Sequence, residues 1–199
     1  MKRIGAIAVA AVALSVVASQ ASAQLPGVPN YPIDTGTHLG LAADYAKPEG
    51  GGEAYGLQGS FGFSRFGVRA GVGGIDNGTA SEVSYGGGVS MRLIGGGLNP
   101  LSVGAQVGAT QVEVGTTKFT SIQPGAWVKF SPPLFPIKPF GSIYYVTGDN
   151  VTEETRLSIG ANLNLLLGFG FHGAYDWGDS GYTWGVGAHF MFRVGIPGV

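Results

Sequence analysis

The sequence predicts an all-β chain that closes into an up-and-down antiparallel barrel of ten strands and crosses a membrane as strands. Three observations carry this. First, the segment Tyr182–Val194 puts Tyr182, Trp184, Val186, Ala188, Phe190, Phe192 and Val194 on one face, and Thr183, Gly185, Gly187, His189, Met191 and Arg193 on the other. Successive side chains of a strand point to opposite faces, so one side is oily, with aromatics near both ends, and the other is small or polar. Second, the same alternation recurs along the chain. Third, the non-apolar face is mostly Gly, Ser, Asn and Gln, which cannot form a dry core by themselves. The large apolar residues must therefore face outward, toward lipid.

The N-terminal 23 residues stand apart. Lys2 and Arg3 form a basic head, Ile4–Val17 is apolar, and Ala21-Ser22-Ala23 is a small-x-small cleavage site. This is the pattern of a secretory signal peptide over residues 1–23. Beyond it, Gly interrupts every apolar run before it reaches the length a spanning helix needs. Without Lys2 and Arg3 the chain keeps nine basic and twelve acidic residues, a balance that argues against a nucleic-acid partner. The absence of cysteine spares an exported chain any wrong disulfide.

Residues 24–34 contain Pro26, Pro29 and Pro32 and read as an extended periplasmic lead-in, followed by the barrel over 35–194 and a tail over 195–199. The first strand, Thr35–Tyr45, sets Leu39, Leu41, Ala43 and Tyr45 against His38, Gly40, Ala42 and Asp44. The second, Ala54–Ser64, opposes Tyr55, Leu57, Phe61 and Phe63 to Gly56, Gln58, Ser60 and Gly62. A tight turn at Ser64-Arg65 leads to the third, Phe66–Ile75, and Asn77-Gly78 marks the next turn. The fourth, Glu82–Leu93, and the fifth, Leu101–Glu113, follow; in the fifth the phase shifts at Gln111, which a bulge would explain. The sixth, Lys118–Phe130, must place Pro124 toward lipid or at a bulge. The seventh, Phe140–Thr147, shows no clear phase, and merging it and the sixth into loops would leave eight strands. The eighth, Glu154–Leu165, and the ninth, Leu166–Trp177, alternate cleanly and run into the tenth.

The segments Gly56–Phe63, Leu167–Tyr175 and Tyr182–Phe192, together with the Ala21-Ser22-Ala23 site, resemble the small outer-membrane β-barrel proteins of Gram-negative bacteria. The resemblance implies outer-membrane lipids and the barrel-assembly machinery as partners, and both chain ends at the periplasmic side. Members often end on an aromatic that the machinery reads; here Phe192 is followed by seven more residues, so the signal would be read internally.

That topology sorts the charges. Connections after odd-numbered strands carry eleven acids, among them Glu49, Glu53, Asp76, Glu113, Asp149 and Glu153, against Lys47, Lys118 and Arg156. The other end holds Arg65, Arg69, Arg92, Lys129, Lys138 and Arg193 against Asp34 alone. A wrong strand count would scramble this separation. Acidic outer loops suit divalent cations beside lipid head groups.

The functional reading is a non-catalytic outer-membrane barrel with a structural or loop-mediated role at the cell surface. The alternatives are a narrow pore for small solutes or ions and, least favoured, an outer-membrane enzyme. Catalysis needs a nucleophile and an oriented base in reach of each other. His172 and Asp176 share a face but lie about 13 Å apart along a strand, and no cofactor or metal motif is present. The lumen-facing candidates are His38, Arg69, Arg92, Arg156, His172, Asp176, His189 and Arg193. The membrane-girdle aromatics are Tyr175, Trp177, Tyr182, Trp184, Phe190 and Phe192. Barrel closure puts His38, His172 and His189 on three neighbouring strands, where a metal-binding or pH-sensing cluster would compete with simple filling of the lumen.

Overall fold

The computed structural model describes residues 25, 28–50, 52–76, 81–96, 99–114 and 117–192. The signal peptide, the Asn77-Gly78 turn, Arg193, Val194 and the tail lie outside the described residues. Ten antiparallel strands form a closed barrel: β1 (His38–Pro48), β2 (Glu53–Phe63), β3 (Phe66–Asp76), β4 (Ser81–Gly96), β5 (Asn99–Val114), β6 (Thr117–Phe130), β7 (Ile137–Asp149), β8 (Glu154–Asn164), β9 (Phe169–Gly178) and β10 (Gly181–Phe192). Each strand pairs with its neighbours in sequence, and β1 closes the ring on β10 with Leu39 opposite Phe192 and Lys47 opposite Trp184. Closure leaves no free strand edge.

The outer surface is apolar. Leu41 is 61% exposed and Val186 50%, whereas the inward His38 is 3% exposed. Tyr45 meets Trp184 and Tyr55, and Tyr175 meets Trp177 and Tyr182, forming an aromatic belt toward the end where β1 turns into β2; we call this the upper rim. Phe169, Phe190 and Phe192 pack together toward the opposite, lower rim. From Trp184 to Phe192 the strand covers about 26 Å at ~3.3 Å per residue, enough to carry an apolar band between the two belts.

Strands six and seven are both present, which removes the eight-stranded alternative. Pro124 points outward, and the β6–β7 ladder opens between Ile122–Thr147 and Gly125–Tyr144 without changing register. A proline has no N–H to give, so the pairing skips it. The phase of β7 is hidden in the sequence because its inward residues include Phe140 and Tyr144, both buried. Two local expectations are corrected. No bulge occurs at Gln111: pairing runs unbroken through Tyr85–Gln111–Thr120, with Val112 turned inward and 8% exposed. The irregularity in that hairpin falls at Arg92–Gly96, on the other strand. The eighth and ninth strands do not abut; Leu166–Gly168 forms a 3-10 turn in which Leu167 takes φ 61°.

The largest difference concerns the lead-in. The Val28 N–H bonds the Leu25 carbonyl at 3.0 Å, and from there the segment runs inside the barrel without joining the sheet. Leu25, Val28, Pro29, Asn30, Tyr31 and Ile33 are buried. Leu25 and Val28 pack with Ala46 and Ala54, which flank the upper β1–β2 connection, while Asp34 lies beside Gly67, just after the lower β2–β3 turn. The chain therefore descends the lumen from the upper end, reverses at Gly36, whose φ is 103°, and enters β1 at the lower rim. Leu25, the first described residue, and the end of β10 lie at opposite ends of the lumen; the two termini themselves lie outside the described residues. The physical reason is the wall: glycines leave a lumen that wall side chains do not fill, and Leu25, Val28, Tyr31 and Ile33 gain burial by filling it.

Candidate functional site

The site is the lumen and the segment threaded through it. At Gly185 and Gly56 the inner wall is cut back to let the segment pass. A Cβ at Gly185 would lie 2.6 Å from Cδ of Pro29, and one at Gly56 would lie 2.5 Å from Cδ1 of Leu25.

Three polar layers hold the segment. In the upper layer Arg156 donates from Nε to Asp176 at 2.7 Å and from Nη1 to Glu154 at 2.6 Å and Ser180 at 2.7 Å. Tyr144 also donates to Asp176, and so does the backbone N–H of Asn30, at 3.3 Å. Gln106 reaches the segment twice, donating to Asn30 Oδ1 at 2.8 Å and accepting from the N–H of Ile33 at 3.3 Å. In the middle layer Gln58 donates to Asp44 at 2.5 Å, and the other Asp44 oxygen meets His172 Nε2 at 2.6 Å. His172 and His189 face each other through their Nδ1 atoms at 3.2 Å, and His189 Nε2 lies 3.2 Å from Asn164 Oδ1. Tyr31 sets its ring edge-on to His172 at 4.5 Å between centroids, and Arg69 donates to the Tyr31 carbonyl at 3.0 Å. In the lower layer Lys129 pairs with Asp34, and Arg92 reaches Thr35 Oγ1 at 3.4 Å.

The structure places His38, Arg69, Arg92, Arg156, His172, Asp176 and His189 on the inner wall. It brings His172 and His189 together and leaves His38 apart, bonded to the carbonyl of Gly36 at 3.0 Å. Register explains this: His189 pairs with Ala42, four residues up β1 from His38, about 13 Å along the strand. No group of three metal-ligating side chains converges among the described residues. His172 uses both ring nitrogens on Asp44 and His189, and His189 uses its own on His172 and Asn164. Neither has a nitrogen left to activate a nucleophile. His172 and Asp176 belong to different layers, as their spacing requires.

Asn30, Tyr31, Asp44, Gln106 and Tyr144 complete these layers and were not singled out from the sequence. The signal for the first two was present: Leu25, Val28, Tyr31 and Ile33 put four apolar residues beside and between the prolines, more than a solvated lead-in needs.

The segment divides the lumen into two open chambers. The upper one, about 480 Å³, has Val28, Ile75, Val112, Phe119 and Val146 on its apolar side and Glu154, Arg156, Asp176 and Gln123 on its polar side. The lower one, about 340 Å³, is lined by Arg92, Lys129, Lys138, Asn99, Asn162 and Asn164 with Asp34. Between them a cavity of about 60 Å³ remains beside Tyr31, His172 and His189.

Fold and lumen together define a class: a closed antiparallel barrel of the membrane-spanning type, apolar outside, with an internal plug made from its own N-terminal segment. No family model matches the chain, and no curated protein matches it. Among solved structures it is similar to a de novo designed transmembrane β-barrel, with a TM-score of 0.43 and 11% identity, over 81% of this chain and 100% of the other. It is similar to a loop L8 deletion mutant of OmpT, an outer membrane protein of Vibrio cholerae, with a TM-score of 0.36 and 17% identity, over 81% of this chain and 61% of that one. It is also similar to Ail, the attachment invasion locus protein of Yersinia pestis, with a TM-score of 0.30 and 16% identity, over 78% and 95% of the two chains. The functional reading below rests on the chain's own surface and lumen.

Proposed function

We propose that the protein is a non-catalytic barrel of the bacterial outer membrane whose lumen is a narrow passage for small solutes, held shut by residues 25–35. The upper rim faces outward in this reading, because the acidic connections lie there and the basic groups lie at the periplasmic mouth. The observation that carries it is the segment lying between two open chambers. An eight-stranded barrel can fill its interior with wall side chains. Here a separate piece of chain does the filling. It adds no strand to the sheet and is held by side chains at Asn30, Tyr31, Ile33, Asp34 and Thr35. Gly36, whose φ is 103°, is where the chain reverses at the segment's lower end.

A second reading, a structural barrel acting through its outer rim, is supported by the rim acids. Glu53 accepts hydrogen bonds from Tyr45 and Tyr55, and Glu153 from Tyr145 and Thr147, which fixes carboxylates at the level of lipid head groups. Divalent cations bridging such carboxylates to lipid phosphates are the partners this rim fits.

Conductance in planar bilayers separates the two. The full chain should stay closed or open rarely, and a variant lacking residues 25–34 should show discrete open steps. Heat-dependent gel mobility in detergent checks that each variant has folded. If the folded deletion variant never conducts, the passage reading fails and the structural reading stands.

A further inference from the structure

We propose that the lower chamber is a binding site for a small oxyanion of the phosphate type, and that Asp34 is the built-in competitor for it. Arg92 from β4, Lys129 from β6 and Lys138 from β7 line one chamber of about 340 Å³, with amide and hydroxyl donors from Asn99, Asn162 and Ser102 between them. Among the described residues of that lining, Asp34 is the one acid, and it belongs to the threaded segment, not to the wall. The wall alone is cationic in a confined, partly desolvated space, which concentrates anions. Asp34 answers the charge of Lys129.

Arg92 is poised and underused. Its guanidinium has contacts at 3.4 Å to Thr35 Oγ1 and to the Ser64 carbonyl, and its Nε is buried with no partner. A Cβ at residue 96 would lie 2.6 Å from Cζ of Arg92, so Gly96 keeps that space clear. A planar guanidinium fork with unfilled donors is suited to bidentate capture of a phosphate. His38 lines the same chamber, is 3% exposed, and has Nδ1 bonded to Gly36 while Nε2 has no partner. With Nδ1 donating, Nε2 is an acceptor, and hydrogen phosphate carries the proton it lacks. The chamber exceeds the volume of phosphate itself, so a phosphate ester with a small organic body fits the same chemistry.

The site stands whether or not the lumen conducts, and its test reads binding, not flow. Trp127 lines the chamber, whereas Trp184 is on the outer surface and Trp177 belongs to the upper aromatic belt. The full chain with Trp177→Phe and Trp184→Phe is folded in detergent and titrated with inorganic phosphate, then with glycerol phosphate, at constant ionic strength. A saturable change in Trp127 emission is expected. Asp34→Asn should lower the half-saturating phosphate concentration about tenfold, while Asp179→Asn at the upper rim, the same change in net charge, should leave it unaltered. Arg92→Gln in the Asp34→Asn chain should raise it at least tenfold. Lys138→Gln in the otherwise unchanged chain gives a second arm with a weakened response. Tighter binding of the ester assigns the spare volume to an organic body; equal binding assigns the site to phosphate alone. No saturable response in folded Asp34→Asn protein, equal effects of Asp34→Asn and Asp179→Asn, or indifference to both Arg92→Gln and Lys138→Gln overturns the proposal.

Discussion

Gly185, Val186 and Gly187 show how sharply demands change from one residue to the next. Val186 faces out and is half exposed on the apolar band. Val186→Arg should cost about 2–4 kcal/mol in lipid, because a charge there must be desolvated or the bilayer deformed around it. Gly187 faces in, and the alternation alone makes a serine there look harmless in a polar lumen. The structure reverses that expectation: a Cβ at Gly187 would lie 2.7 Å from Asp44 Oδ1 and would intrude on the Asp44–His172 contact. Gly187→Ser should therefore destabilise by about 1–3 kcal/mol through overpacking. Urea unfolding in lipid vesicles checks both variants. Outside the spanning strands, the bond from Thr147, with a second from Tyr145, holds the Glu153 carboxyl below its usual range. A depressed folded value means that the contribution is complete above the ordinary glutamate range and is lost as pH falls through the folded value. Protection of the amides of residues 150–153, measured relative to the intrinsic exchange rate at each pH, should thus fall on acidification in the native chain, and Glu153→Gln should show lowered protection already at neutral pH with little further change.

At the scale of elements, legibility followed how each strand spends its two faces. Strands β1, β2, β4, β8 and β10 face lipid on one side and a small or polar lumen on the other, so period-two alternation located them. Phase was lost in β7 because Phe140 turns inward onto Tyr31, and misread in β5 because Val112 turns inward toward the upper chamber. Both exceptions come from the filling of the lumen, which no strand pattern encodes. The histidines were half legible: strand adjacency put His38, His172 and His189 on neighbouring strands, whereas which two of them meet depends on register. The threaded segment was the least legible element, since its backbone pairs with no strand and its partners, Asp176, Gln106, Arg69 and Lys129, come from four strands distant in sequence. Its hold at the upper end is apolar, through Leu25 and Val28 against Ala46 and Ala54. Val28→Asp should loosen that end. Limited proteolysis should then nick the chain before residue 35 faster than in the unchanged protein, with heat-dependent gel mobility preserved.

For the whole molecule, the architecture joins an apolar exterior to a lumen closed by a piece of its own chain. The exterior suits a lipid surround, and in the proposed reading the plug sets whether anything passes. Acidic groups cluster at the upper rim and basic ones at the lower mouth, so the lumen carries a field along its axis that acts on any charged solute entering it. All of this depends on the segment occupying the lumen in the folded protein. Because the chain has no cysteine, a single introduced pair reports one contact without ambiguity. Leu25 and Gly56 are the pair of choice, as Leu25 Cδ1 lies within 2.5 Å of where a Gly56 Cβ would be. The chain carrying Leu25→Cys and Gly56→Cys, folded into lipid vesicles, should be joined within one molecule by a short thiol-to-thiol linker. The control pair Leu25→Cys with Leu57→Cys, whose second residue faces outward, should stay unlinked. Efficient linkage of the first pair and none of the second is the predicted result; folded protein in which the first pair links no better than the second would contradict the account.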